Sequence, residues 1–177
     1  MIVLSTDSPH QPKRLKLSSR FLPCAAEVGD ELYPNGIFEF NVSRLWDFVR
    51  ANAERFPIEF VAIENIPDYG GNERLDPATI QGADLSRPIL LAEIAPDRFN
   101  MIDGHHRVAK ARREGIERLP AHRLRCPDHV AFLTSARAYE AYVEYWNFKV
   151  SDISRLARRP RGRQASGVDP RRCNTRG

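Results

Sequence analysis

The residues best suited to chemistry stand together at Asp103-Gly104-His105-His106-Arg107, where an acid, a glycine, two imidazoles and a guanidinium are consecutive. An apolar stretch precedes this box and a helical pattern follows it. The box therefore opens a helix N-terminus, where outward-pointing N–H groups and the helix dipole favour an anion. Gly104 lets the backbone come close without a Cβ. The N–H groups of His105, His106 and Arg107 would then face a phosphate, and Arg107 offers it a bidentate fork. His106 can donate to a phosphate oxygen or move a proton near neutral pH. Asp103 can accept a proton from a substrate hydroxyl, bind Mg²⁺ or orient an imidazole. Lys110, one turn on, can add a point charge, and Glu73 supplies a second carboxylate that can act as base.

Each of these residues also has a plainer reading. Asp103 can be a helix N-cap. Arg107 can form a structural ion pair with Asp103 or Glu114. Lys110 can be solvated surface. Adjacent histidines project to different sides of a helix, so one of the pair is expected at the site, and His106 is favoured. His122, Cys126 and His129 have tolerable zinc spacing, but Pro127 interrupts it, and satisfied surface histidines are the better expectation.

The elements that must position the box read clearly around it. Asp76-Pro77 begins a short helix through Gln81, with Asp76 as cap and Pro77 at its first position. The apolar run from Pro88 to Ile94 is a strand, residues 95–98 turn, and residues 99–102 return as the second arm of a hairpin. The helix after the box spans about 105–114, with Gly115 at its C-cap. A strand follows at 119–124. Upstream, residues 33–36 (Tyr-Pro-Asn-Gly) read as a turn and 37–41 as a short extended piece. A helix runs from 42 to 55, with Asn41 or Ser43 as N-cap and Pro57 as its stop. A strand covers 58–66. A long amphipathic helix is expected from Asp128 to about Phe148, its apolar side a core or oligomer contact.

The chain has 177 residues, of which 42% are hydrophobic, enough for one domain with a modest core. Residues 1–30 lack periodicity and read as a flexible leader; 31–150 form the domain; 151–177 read as a disordered tail. That tail carries eight arginines against Asp152 and Asp169, so the remainder of a chain of net charge +4 is slightly acidic. The tail offers a contact for nucleic acid, although no aromatic residue is interleaved for base stacking. No apolar run is long enough for a membrane span and no secretory signal is read, and the three cysteines form no metal pattern. A cytoplasmic protein with reduced thiols, without membrane contact and of unassigned oligomeric state, is expected.

The order of short helix, strand, turn, strand, box, helix, Gly115-Ile116 and Leu119-Pro120-Ala121 strand resembles the ParB N-terminal/sulfiredoxin superfamily. Ile102-Asp-Gly-His-His-Arg107 stands at the Gly-Glu-Arg-Arg box of ParB and the Gly-Cys-His-Arg box of sulfiredoxins. Leu75-Asp-Pro-Ala-Thr-Ile-Gln81 is similar to the sulfiredoxin helix before the sheet. The likeness covers residues 73–124, and it makes 31–66 and 128–148 an addition to that core. It implies an α+β fold, a small mixed sheet with packed helices, here followed by a long C-terminal helix. It also implies a nucleotide ligand (ATP, ADP or CTP) with Mg²⁺, and a phosphotransferase or nucleotide hydrolase activity. Small kinases of free serine carry the most similar box. The alternatives within the resemblance are a non-catalytic, partition-type module responding to DNA or nucleotide, and a ParB-like nuclease. His105 stands where sulfiredoxins hold their reactive cysteine and Cys126 comes too late to replace it, so sulfinic-acid reduction is not expected. No helix-turn-helix follows the box.

Overall fold

The computed structural model describes residues 12–67 and 75–158. It is an α+β fold of two small sheets and four α-helices. A hairpin, β1 (Leu32–Asn35) and β2 (Phe38–Asn41), leads directly into α1 (Val42–Ala51). Next come β3 (Glu59–Ala62), a 3₁₀ turn, α2 (Pro77–Gly82), β4 (Ile89–Ala95) and β5 (Arg98–Asp103). The chain closes with α3 (His105–Glu114), β6 (Arg118–Leu124), a second 3₁₀ turn and α4 (Ala136–Arg158). The main sheet has the order β3-β6-β4-β5; β4 runs parallel to β6, and the other pairs are antiparallel.

β4 is buried along its whole length because both faces of the sheet are covered. Leu90, Ala92 and Ile94 join the larger core with α1, α4 and the hairpin, while Ile89 and Leu91 join the smaller core under α3. An unbroken apolar run is what such a strand requires. α3 supplies Val108 and Ala111 to the smaller core, and α4 supplies Tyr142, Val143, Trp146 and Val150 to the larger. Expected caps are in place: Asn41 accepts from the Arg44 N–H, Asp76 accepts from the Thr79 N–H, and Gly115 closes α3 with a left-handed backbone.

Several sequence expectations are corrected. Leu32–Asn35 is a strand, and the turn falls one step later at Gly36-Ile37. The Asn-Gly pair straddles the end of the strand, so the hairpin begins before it. α1 stops at Ala51, capped by Asn52, six residues before Pro57. The strand expected at 58–66 keeps only Glu59–Ala62, because the chain turns into a 3₁₀ helix at Ile63. The long C-terminal helix begins at Ala136, eight residues after Asp128. Asp128 pairs with Arg55 instead of capping, and Leu133 bridges to Phe40 in extended form. Ser135 then receives the Ala138 N–H at 3.1 Å. The helix also continues through Val150 to Arg158, so the first part of the expected tail is helical; residues 159–177 lie outside the described residues.

The leader is corrected too. From Pro12 onward it is an extended strap held on α4, whose side chains satisfy the strap's backbone. Asn147 Oδ1 accepts from the Leu15 N–H at 2.8 Å, and its Nδ2 donates to the Leu15 carbonyl at 2.9 Å. Tyr139 Oη accepts from the Ser18 N–H at 2.9 Å, and Trp146 Nε1 donates to the Lys13 carbonyl at 2.9 Å. Phe21 stacks on Tyr139 with centroids 4.0 Å apart.

Candidate functional site

The box lies at the junction of β5 and α3, and the strand register decides where its acid points. Leu91 pairs with Met101, but Leu90 pairs with Asp103, so β5 carries one extra residue, Ile102, at a bulge. Directly paired residues share a face of the sheet. The bulge therefore turns Asp103 to the side of Leu90, where α1 packs, rather than to the side of α3. There Trp46 Nε1 donates to Asp103 Oδ2 at 2.8 Å. Arg107, from the layer on the other side, donates its Nη2 to the same oxygen at 2.9 Å. Trp46 also sets its indole edge-on to buried His122, 5.7 Å between centroids.

Gly104 makes the turn between these layers. Its φ of +112° lies in the left-handed region, and a Cβ there would stand 2.4 Å from Ile89 Cγ2. Gly104 is also the N-cap of α3, and no side chain caps this helix. Asp103 is thus not the cap, one of its two plain readings, while its ion pair with Arg107 is real. The N–H groups of the first helical turn have no intrahelical partner. This turn borders a cavity of about 260 Å³, whose lining includes Thr79, Asp84, Arg87, Asp103, Gly104, His106 and Arg107. The Arg107 side chain is 13% exposed, and its Nε is buried without an acceptor among the described residues.

The two histidines part as their spacing requires. His106 lines the cavity. His105 turns to the hairpin, its Nε2 3.2 Å from Tyr33 Oη and its ring 5.0 Å from the tyrosine ring. Burial holds the His105 imidazole below its ordinary pKa. Lys110 does not reach the cavity; its Nζ donates to the Ala83 carbonyl at 2.8 Å and clamps α3 to the end of α2. Glu73 lies outside the described residues.

Three partners escape sequence reasoning: Trp46, Tyr33 and Glu31. Burial raises the Glu31 carboxyl above the usual range, and the charge of nearby Asp103 adds to that rise. All three belong to the segment that resembled no part of the box's own core. One signal was available for Trp46, since a buried indole N–H needs an acceptor.

Asp103 Oδ2 already accepts two donors, and among the described residues no group of three His, Cys, Asp or Glu side chains is placed to hold a metal ion. Two carboxylates, Asp84 and Asp103, line the cavity beside Arg87, His106 and Arg107. Among the described residues His122, Cys126 and His129 are not placed together to hold a zinc ion, and the two histidines are buried rather than on the surface: His122 Nδ1 lies 2.7 Å from the Phe56 carbonyl, and His129 Nε2 lies 3.1 Å from Tyr142 Oη. Among the described residues no helix is long and apolar enough to cross a membrane. Compared with protein-family models, curated proteins and solved structures, the chain matches none.

Proposed function

We propose that the protein binds the phosphate of a nucleotide on the first turn of α3. The observation that carries this reading is Arg107. A guanidinium held rigid by Asp103, with a buried Nε–H lacking an acceptor, borders an uncapped helix N-terminus that opens on a cavity. A phosphate oxyanion in the cavity would meet the Arg107 guanidinium and the N–H groups of the helix N-terminus. The cavity accommodates phosphate but not a whole nucleotide, so base and sugar would extend from its mouth.

The element order from α2 to β6 supports the ParB/sulfiredoxin resemblance as the source of this reading. ATP, ADP and CTP are the candidate ligands it implies. Of the catalytic alternatives, phosphotransfer or nucleotide hydrolysis fits better than a nuclease. His106 lines the cavity together with Asp84, Arg87, Asp103 and Arg107, and as the imidazole among them it is the group to move a proton. Asp103 acts in this reading by fixing Arg107, not as base or metal ligand.

Isothermal calorimetry with ATP, ADP, CTP and inorganic phosphate, with and without added Mg²⁺, tests the proposal. Binding is expected for the intact chain. Arg107→Ala should weaken it roughly 10- to 100-fold, the value of a charge-assisted hydrogen bond. Arg107→Lys should recover only part, because a point charge replaces a fork. If no phosphate-bearing ligand binds the folded protein, the proposal is overturned.

A further inference from the structure

The second half of α4 leaves large apolar side chains in solvent: Tyr145 is 38% exposed, Phe148 56%, Ile153 42% and Leu156 66%. Single exposed apolar residues are ordinary on a protein surface, but four on three turns of one helix are a patch. Tyr145, Lys149, Asp152 and Leu156 follow one another at spacings of four, three and four. That is the spacing of a coiled-coil seam. The stripe borders a groove of about 580 Å³, closed on its far side by Ile94, Pro96 and Arg98 from the β4–β5 turn.

The order of residue types along this stretch points to its partner. A two-fold axis placed between Val150 and Ser151 relates each residue to one in an antiparallel copy. Under that operation the seam pairs Tyr145 with Leu156 and Lys149 with Asp152, while Phe148 on one flank and Ile153 on the other each lie beside their own copies. Each apolar residue faces an apolar residue and each charge faces its opposite, and each seam pair occurs twice. A contact in which residue i touches j and j touches i is the signature of an isologous dimer. Within one chain the Lys149 ammonium lies over the Tyr145 and Phe148 rings, 5.3 and 5.7 Å from their centroids. It is therefore already placed in the middle of the stripe.

We propose that α4 pairs antiparallel with α4 of a second copy of this chain through residues 145–156, about 18 Å of helix. Flanking apolar pairs supply the contact area. The central Lys149 and Asp152 pairs fix the register, since a polar seam position excludes shifted alignments. The partner's side chains enter the groove beside the β4–β5 turn.

Sedimentation analysis of the full chain over a concentration series tests the pairing, with far-UV circular dichroism to confirm folding. The intact protein should move toward twice its 20.2 kDa mass. Lys149→Asp alone, or Asp152→Lys alone, places like charges across the axis and should shift the protein to monomer. The double variant K149D/D152K restores opposite charges and should restore the dimer. Leu156→Glu should give monomer in either background. A monomeric intact chain at its highest soluble concentration overturns the proposal. So does a dimer indifferent to the single charge changes, or a folded double variant that stays monomeric.

Discussion

Trp46 and Asp103, fifty-seven positions apart, are joined by an indole N–H to carboxylate hydrogen bond of 2.8 Å. The bond ties α1 to the box. It also spends half of the hydrogen-bonding on the oxygen that holds Arg107, so the guanidinium is positioned from the larger core as much as from its own helix. Trp46→Phe keeps the ring and removes the donor. It should destabilise the protein by about 1–3 kcal/mol, the cost of a charged hydrogen bond at a partly buried site. Urea denaturation measures this. Calorimetry with phosphate ligands should show weaker binding even though Trp46 does not line the cavity, because Arg107 loses its fixed anchor.

Gly104 permits a different kind of test. Alanine there would meet both a left-handed backbone and the Ile89 side chain, 2.4 Å from its Cγ2. The strain and the overpacking each cost on the order of 1–3 kcal/mol. Gly104→Ala should therefore lower stability by roughly 2–6 kcal/mol. Ile89→Ala removes Cγ2 but keeps the Ile89 Cβ, 2.7 Å from the added methyl, so it should relieve part of the steric share, and the double variant should be less destabilised than the two separate losses combined. Additive losses in urea denaturation would show that the two residues do not meet.

The same pair explains why the box was legible in sequence and its surroundings were not. From Asp76 to Leu124 each boundary carries a local signal. An Asp-Pro cap starts α2, an apolar run marks a strand covered on two faces, and Gly104 and Gly115 bracket α3. The bulge at Ile102 has no such signal; it is one residue of register, and it alone sends Asp103 toward α1. Trp46 reads as part of an apolar stripe with Leu45 and Val49, and nothing in its spacing reveals that its N–H faces an acid. At Asp128 a good capping residue misleads, because its carboxylate is drawn to Arg55 from another element. The strap has no periodicity to read. Its order is supplied by side chains more than a hundred positions later.

His129 gives the fold a pH dependence of known sign. It is fully buried with its Nε2 near Tyr142 Oη, and burial pushes its pKa down to about 4. An unfolded histidine titrates near 6.5, so below that value the unfolded chain takes up protons that the folded chain does not. Stability is complete above pH 6.5 and is lost as the pH falls toward 4. The loss attributable to His129 is about 3 kcal/mol, from 1.36 kcal/mol per unit of pKa. His105, also held low by burial, acts in the same direction. The measurement is therefore a difference. Urea midpoints of the intact chain and of His129→Gln, compared at pH 7 and pH 4.5, should converge at the lower pH. Equal slopes would remove His129 as the source.

The strap is held largely by side chains that imitate a neighbouring strand. Asn147 gives Leu15 both an acceptor and a donor, at 2.8 and 2.9 Å, which is what a peptide unit across a sheet would give. Two hydrogen bonds of this kind contribute about 1–3 kcal/mol together. Removing them raises the population of locally opened strap without requiring global unfolding. Basic residues Lys13, Arg14, Lys16 and Arg20 place trypsin sites along the segment. Asn147→Ala should thus accelerate tryptic cleavage within residues 13–20 by roughly tenfold, followed by mass spectrometry under native conditions. Cleavage C-terminal to β2 should stay at its original rate, because α4 keeps Tyr142, Val143 and Trp146 in the core. If strap and domain instead become sensitive together, Asn147 supports the whole fold and the strap is not a separately opening unit.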